Sequence, residues 1–351
     1  MENTKLIVPK KPDYSFMYEG VGVLNLLTFV PARTREDCTP VAIKDTLPNG
    51  EEVVSNRYAY TRDYNIKGIV KRERNGRLIP LTGEEFGAGL TLTADTVSQI
   101  QSFDENTQSV LAALLLNLSA QSEEERKQGI VSIYVPVFQT QKKLAKAQQV
   151  TEIIKNGIST LKNVWFSYVF ENGKKTISSR FISTIYPPSN GLYPVRLDST
   201  FLDFACSKLN QNKAYFPTPV LSLANQTRGN FYRVAMQLWA NFRTNQKNGY
   251  KRSHTAAVKT LYESSGLPSL EEVRASKGRG VYQRTVGALI NILDYLMNMG
   301  ILGYWYFIDG TDNKVNHCDI CKLKAEEWLK LNIFYELQDY PKTDQTEEEK
   351  A

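Results

Sequence analysis

The sequence predicts an α+β chain in which one order of elements, helix, strand, helix, helix and hairpin, occurs twice behind an N-terminal extension. Three observations carry that reading. Two junctions, Leu161-Lys-Asn-Val-Trp-Phe-Ser-Tyr168 and Leu296-Met-Asn-Met-Gly-Ile-Leu-Gly-Tyr-Trp-Tyr306, each run from the end of an amphipathic helix into an aromatic strand. An Asn172-Gly173 pair separates two strand-like runs after the first junction, the strongest short-range hairpin signal. The positive charge is gathered in the middle of the chain.

In chain order, residues 1–89 are rich in Pro, Gly and charge, with extended patches at 52–59 and 66–70 but no helical period. From Ala94 a helix is expected, broken near residues 102–106, because Val110, Leu111, Leu114, Leu115 and Leu118 recur at helical spacing. An acidic turn at 123–129 ends it. Residues 130–138 read as a β-branched strand and 139–147 as a short basic helix. A second helix follows, with Val150, Ile153, Ile154, Ile158 and Leu161 on one face. Strands are expected at 164–170 and 176–186.

The order then repeats. Residues 230–242 form an amphipathic helix through Tyr232, Ala235, Met236, Leu238, Trp239 and Phe242, and 255–264 a shorter one. A long helix from Tyr282 to Ile301 places Val286, Leu289, Ile290, Leu293, Leu296 and Met297 at helical spacing, with Gly300 as its stop. Strands at 303–308 and 329–337 close the unit. The expected domains are an extension at 1–89, winged-helix domains at 90–213 and 214–340, and an acidic tail at 341–351.

The chain has 351 residues, 42% of them hydrophobic, enough for two or three cores. It lacks an apolar run of about 18 residues and a signal-peptide pattern at its start, so no membrane partner and a cytoplasmic location are expected, with no disulfides in that reducing compartment. The net charge of +6 is unevenly spread: residues 131–284 hold 22 Lys and Arg against 7 Asp and Glu, whereas residues 285–351 hold 6 against 12. A central basic block of this kind neutralises phosphates and releases counterions, which makes double-stranded DNA the expected partner.

A DNA-reading helix exposes donors on its first turns while an apolar stripe anchors it. In the second unit Arg274, Lys277, Arg279, Tyr282, Gln283 and Arg284 crowd the approach to the long helix. There Arg can pair with guanine and Gln with adenine. In the first unit Lys142, Lys143, Lys146, Gln148 and Gln149 occupy the equivalent helix pair, with Lys174 and Lys175 beside the hairpin tip, and phosphate contact is the expected role.

No catalytic residue, metal or cofactor is expected. The two histidines, His254 and His317, are too far apart in sequence for a paired metal motif, and no Gly-x-x-x-x-Gly-Lys-[Ser/Thr] loop exists. His317-Cys318-Asp-Ile-Cys321 has metal-ligand spacing but no second pair, so a polar connection between strands is the expected role. The competing readings are a winged-helix transcriptional repressor, a metal-dependent DNA nicking or strand-transfer enzyme using Tyr and carboxylates, and an adaptor that binds protein.

The chain resembles the plasmid replication initiators that bind repeated origin sequences, or iterons, through two winged-helix domains. The resemblance spans roughly residues 90–340. Its carriers are Ile130-Val-Ser-Ile-Tyr-Val-Pro136, the run 161–168, Val195-Arg-Leu-Asp-Ser-Thr-Phe-Leu202, Leu267-Pro-Ser-Leu-Glu-Glu-Val273, Tyr282-Gln-Arg-Thr285 and the run 296–306. It implies that the second unit docks its long helix in the major groove while the first assists on the backbone and can form a homodimer interface. Monomers of such families open the origin of a plasmid or mobile element and recruit host helicase machinery. Dimers often repress the initiator's own gene. Residues 1–89 and the connection at 310–324 depart from the family pattern.

Overall fold

The computed structural model describes residues 14–19, 23, 26–30, 32, 35–46, 52–62, 73–74, 77–78, 80–81, 89–169, 176–206, 212–225, 228–245, 249–276 and 280–338. The expected patch at 66–70, the hairpin tip at Asn172-Gly173 and the acidic tail lie outside the described residues. The chain divides into two compact units, Met1–Gly229 and Asn230–Ala351.

The first unit contains, in order, β1 (Tyr14–Glu19), β2 (Thr39–Thr46), β3 (Glu52–Arg62), β4 (Gly89–Ala94), α1 (Val97–Gln101), α2 (Glu105–Ala120), α3 (Glu123–Gln128) and β5 (Ile130–Tyr134). There follow α4 (Val135–Lys142), α5 (Ala147–Asn163), β6 (Trp165–Val169), β7 (Thr176–Arg180), β8 (Ile182–Ile185), β9 (Leu192–Leu197), α6 (Ser199–Ala205) and β10 (Asn212–Pro217). A 3₁₀ helix at Thr218–Leu223 completes the unit.

The described strands β1 and β3, before position 90, pair with strands later in this unit. Strand β3 pairs antiparallel with β4, and β4 with β6, putting Leu92 opposite Phe166. Strand β1 pairs with β10, Tyr14 opposite Pro217. The six-stranded sheet runs β7-β6-β4-β3-β2 and ends on the short strand Pro80–Leu81. A break at 89/90 was expected from composition alone, which carries no information about strand partners distant in sequence.

The hairpin read at Asn172-Gly173 exists as β6 and β7, with Val169 opposite Thr176, but β6 is absorbed into the six-stranded sheet. The hairpin that backs the helix pair α4–α5 is instead β8 and β9, which joins β5 in a sheet of order β8-β9-β5. It turns at Asn190-Gly191, whose φ angles of 50° and 75° are the left-handed pair that a two-residue type I′ loop requires. Ser189 and Leu192 close it by donating N–H to each other's carbonyl at 3.1 and 2.9 Å.

Two local boundaries also shift. The acidic stretch expected as a turn forms α3, because Ser122 and Glu125 make a capping box and Gly129 ends the helix at φ 65°. Helix α4 begins at Val135, inside the expected strand, since Pro136 presets the first helical turn.

Helix α2 is the centre of the first unit. Val110, Leu111, Leu114, Leu115 and Leu118 are fully buried, and so are Gln108 and Ser109 on the same helix. Helix α5 lies against it through Val150, Ile154, Ile158 and Leu161, all buried. The two helices meet closely at Gly157, where an added Cβ would stand 2.7 Å from Val110 Cγ2. Phe166 joins the sheet to this core, its ring 5.0 Å from Phe181, 5.6 Å from Phe201 and 5.3 Å from Phe204.

The second unit comprises α7 (Gly229–Asn245), α8 (Tyr250–Ser253), β11 (Thr255–Ala257), α9 (Val258–Ser265), α10 (Leu270–Ala275), α11 (Val281–Arg284) and α12 (Val286–Asn298). It ends with β12 (Leu302–Ile308), α13 (His317–Ile320), α14 (Ala325–Trp328) and β13 (Asn332–Leu337). Its sheet order is β11-β13-β12. The strand before the helices therefore sits beside the second hairpin strand, as β5 sits beside β9. Tyr335 ties the layers: its hydroxyl lies 2.8 Å from Leu238 O and 2.9 Å from Ser253 O and accepts from Asn241 Nδ2 at 3.0 Å.

The long helix expected from Tyr282 to Ile301 is interrupted. Thr285 leaves helical geometry at φ −117°, ψ −88°, and its hydroxyl donates back to Val281 O at 2.6 Å. Gly300 does end α12, at φ 70°.

Because Gly157 is the point of closest helix contact, Gly157→Ala is expected to destabilise the first unit. The clash costs about 1–3 kcal/mol, partly offset by about 1 kcal/mol of helix propensity. Adding Val110→Ala should remove most of the clash, and urea unfolding of the four proteins of this cycle reads out that coupling.

Candidate nucleic-acid interface

Helix α5 is built to present its head. Its apolar stripe is held by α2, and its first turns expose Ala147, Gln148, Gln149 and Glu152, preceded by Lys143 and Lys146 in the turn from α4. Lys146 is the N-cap, with extended backbone. Lys143 closes α4 in the left-handed region at φ 51°, its N–H directed at Gln139 O and Thr140 O. That conformation costs most L-residues roughly 1 kcal/mol or more and is usually given to glycine. Gln139 Nε2 braces the turn by donating to Leu144 O and Ala145 O at 3.1 and 3.2 Å. Four of the five cations and amides assigned to this helix pair thus stand together on one exposed corner.

The fifth, Lys142, does not. It is 3% exposed, and its ammonium donates to Asn106 Oδ1 at 3.0 Å, to Ser109 Oγ at 3.3 Å and to the Ala224 carbonyl. No phosphate can reach it, so its assignment to DNA contact is corrected: it fastens the end of α4 to the start of α2 and to the exit of the 3₁₀ helix. The sequence shows three lysines within five positions and cannot show that one points inward. Lys174 and Lys175 lie outside the described residues.

In the second unit the assigned residues gather where α10 meets α11. Arg274 forms an ion pair with Glu326 on α14, and Arg284 Nη1 donates to Ser276 Oγ at 2.6 Å. The Tyr282 hydroxyl accepts from Cys321 Sγ at 3.3 Å, and burial pushes the phenol up to about 12. Gln283 is exposed on α11. Lys277 and Arg279 lie outside the described residues. The break at Thr285 separates all of these from α12, which contains no lysine or arginine; its Asp294 accepts from Trp305 Nε1 at 3.1 Å. The basic corner is therefore a feature of α10 and α11, not of the first turn of a long helix.

Sequence reasoning missed the hairpin turning at Asn190-Gly191, with exposed Arg196 on β9, although Asn190-Gly191 is as strong a signal as Asn172-Gly173. It also missed that the connection between β12 and β13 folds back to touch α10 and α11 through Glu326 and Cys321. His254 is a packed residue, 7% exposed, with its ring 5.2 Å from Phe242 and its Nδ1 3.0 Å from Ser253 Oγ. Among the described residues no group of three or more His, Cys, Asp or Glu is placed to hold a metal ion, and no helix is long and apolar enough to cross a membrane.

Burial holds Lys142 down to about 7 from its ordinary 10.5, while the Asp104 carboxylate pulls the other way. The folded value lies below the unfolded one, so the unfolded chain binds the proton more tightly between about pH 7 and pH 10.5. The cost of burying the charge is fully present below pH 7 and disappears as the pH rises through that window. Chemical denaturation at pH 7 and pH 9.5 should show stability increasing more in the wild type than in Lys142→Met; equal slopes would contradict the buried-ammonium assignment.

The chain matches no protein-family model and no curated protein. Among solved structures, one of selenomethionine derivatives of domain 2 and domain 3 of RctB aligns over 90% of this chain and 99% of its own, at 12% identity and a TM-score of 0.43. A second structure of RctB domains 2-3 aligns over 90% and 96%, at 11% identity and a TM-score of 0.39.

Proposed function

We propose that this protein is a replication initiator that binds repeated duplex sites at the origin of a plasmid or mobile element, through two winged-helix units and without bond chemistry of its own. The observation that carries the reading is the exposed corner at the head of α5. There Lys143 and Lys146 in the turn stand beside Gln148 and Gln149 on a helix whose opposite face is locked into a core. Ammonium groups at the turn suit phosphates, and the two glutamines suit base edges, adenine above all. The shared connectivity of the two three-stranded sheets supports reading both units as winged helices. In the second unit Arg274, Tyr282, Gln283 and Arg284 are the described residues assigned to DNA. A second copy of the chain and host helicase machinery are the further partners of this reading.

Lys143 separates fold from function in one residue. Lys143→Gly should leave stability unchanged or raise it by up to about 1 kcal/mol, because glycine accepts the left-handed conformation freely. The same change should weaken binding to all duplexes alike and reduce the slope of log K against log salt by about one unit. Gln149→Ala should instead relax sequence preference, by roughly 1–3 kcal/mol at one base pair. Both are read by titrating fluorescent duplexes carrying repeats from DNA flanking the gene at several salt concentrations. On supercoiled origin DNA with divalent metal, the wild type should produce no nicks; reproducible single-strand cleavage would replace this reading with a catalytic one.

A further inference from the structure

The connection between β12 and β13 carries two exposed cysteines, Cys318 and Cys321, which the function above does not use. The backbone around them is a run of tight turns: Asp319 N–H donates to Asn316 O at 3.0 Å, Lys322 N–H to Asp319 O at 3.0 Å and Leu323 N–H to Ile320 O at 3.1 Å. Residues three apart in such turns lie one above the other. Ile320, between the cysteines, is 1% exposed and anchors the turn, and fully buried Trp328 anchors its far side, edge-on to Tyr262 of α9 at 5.1 Å. Cys321 donates its thiol hydrogen to Tyr282 on α11, beside Gln283 and Arg284.

We propose that Cys318 and Cys321 are a reversible thiol–disulfide modification site that sets the position of α11. With a low-molecular-weight disulfide as oxidant, one cysteine thiolate attacks a sulfur of the oxidant, forming a mixed disulfide and releasing one thiolate. The second cysteine thiolate then attacks the protein sulfur of that mixed disulfide and releases the other. The protein dithiol loses two electrons, the oxidant gains them, and the two protons go to the two small thiols released.

Formation of the bond has a geometric consequence. Residues at this spacing hold their Cβ atoms on the order of 5–6 Å apart, whereas a disulfide needs about 3.5–4.5 Å. Closing it draws Cys321 toward Cys318 by about 1–2 Å and removes the hydrogen that Tyr282 accepts. Tyr282 sits on a helix of only four residues, bounded by the break at Thr285, so loss of its partner frees α11 to move. This regulation rests on the assignment of α11 to DNA, and the test keeps the two apart.

The full-length protein is equilibrated in glutathione buffers from fully reduced to fully oxidised. It is then alkylated, digested and weighed, with hydrogen exchange of the 276–286 peptide and affinity for the repeat duplex measured on the same samples. Oxidation should yield a peptide in which Cys318 and Cys321 resist alkylation as a pair, having lost two hydrogens. Exchange in 276–286 should rise, and duplex affinity should fall roughly tenfold, the scale of one lost base contact. Cys318→Ser, which keeps the Cys321–Tyr282 contact, should bind as the reduced wild type does in the fully reduced buffer and should form no internal bond in any buffer. Glutathione adducts without the internal bond, or the internal bond with unchanged exchange, would overturn the proposal. Changed exchange with no duplex binding in either state would leave the modification site standing and reject the DNA assignment.

Discussion

Burial of one helix on every side organises the first unit. Helix α2 has no solvent face of any width, and several of its polar side chains find partners in the elements packed around it. Gln108 donates to the Phe29 carbonyl, Asn117 Oδ1 accepts from Ser132 N at the start of the β5–α4 segment, and Ser109 with Asn106 receives Lys142. Unpaired, each such group would cost about 1–3 kcal/mol, so each acts as a registration pin as well as a contact. The exposed corner at the head of α5 is placed by these pins. Helix α5 leans on α2 at Gly157, and α4, which leads into it, is fastened to α2 by Lys142.

This arrangement explains which parts of the fold are legible in the sequence. Helical spacing in Val110–Leu118 and Val150–Leu161 marks α2 and α5, but periodicity reports an apolar face and not how many neighbours cover it. The inward-pointing Lys142 and the role of residues before position 90 follow from partners far away in the chain: β1 meets β10, and β3 reaches β6 through β4. The hairpin at Asn172-Gly173 was legible as a hairpin, yet its place in the sheet was not. Adjacent turn chemistry fixes which strands pair locally and leaves open which sheet they join. The break at Thr285 was hidden because Tyr282 and Val286–Met297 keep helical spacing across a single non-helical residue.

The candidate site was legible to the extent that charge pattern reports it. Lys143, Lys146, Gln148 and Gln149 are exposed around the turn into α5. In the second unit, Arg274 and Tyr282 are engaged by Glu326 and Cys321 from a connection whose course no local pattern reveals. The two units thus carry similar sheets but different heads: the first leaves its donors exposed, and the second holds part of its set in contacts with the connection between β12 and β13.

The proposed DNA binding requires the head of α5 to enter a groove. A photo-crosslinking amino acid at Gln149, compared with one at Asn163 on the last turn of the same helix, tests this on the full-length protein bound to a repeat-containing duplex. Crosslinks to bases from position 149 and none from position 163 are expected. Equal crosslinking from both, or crosslinks to another protein chain in place of DNA, would contradict it.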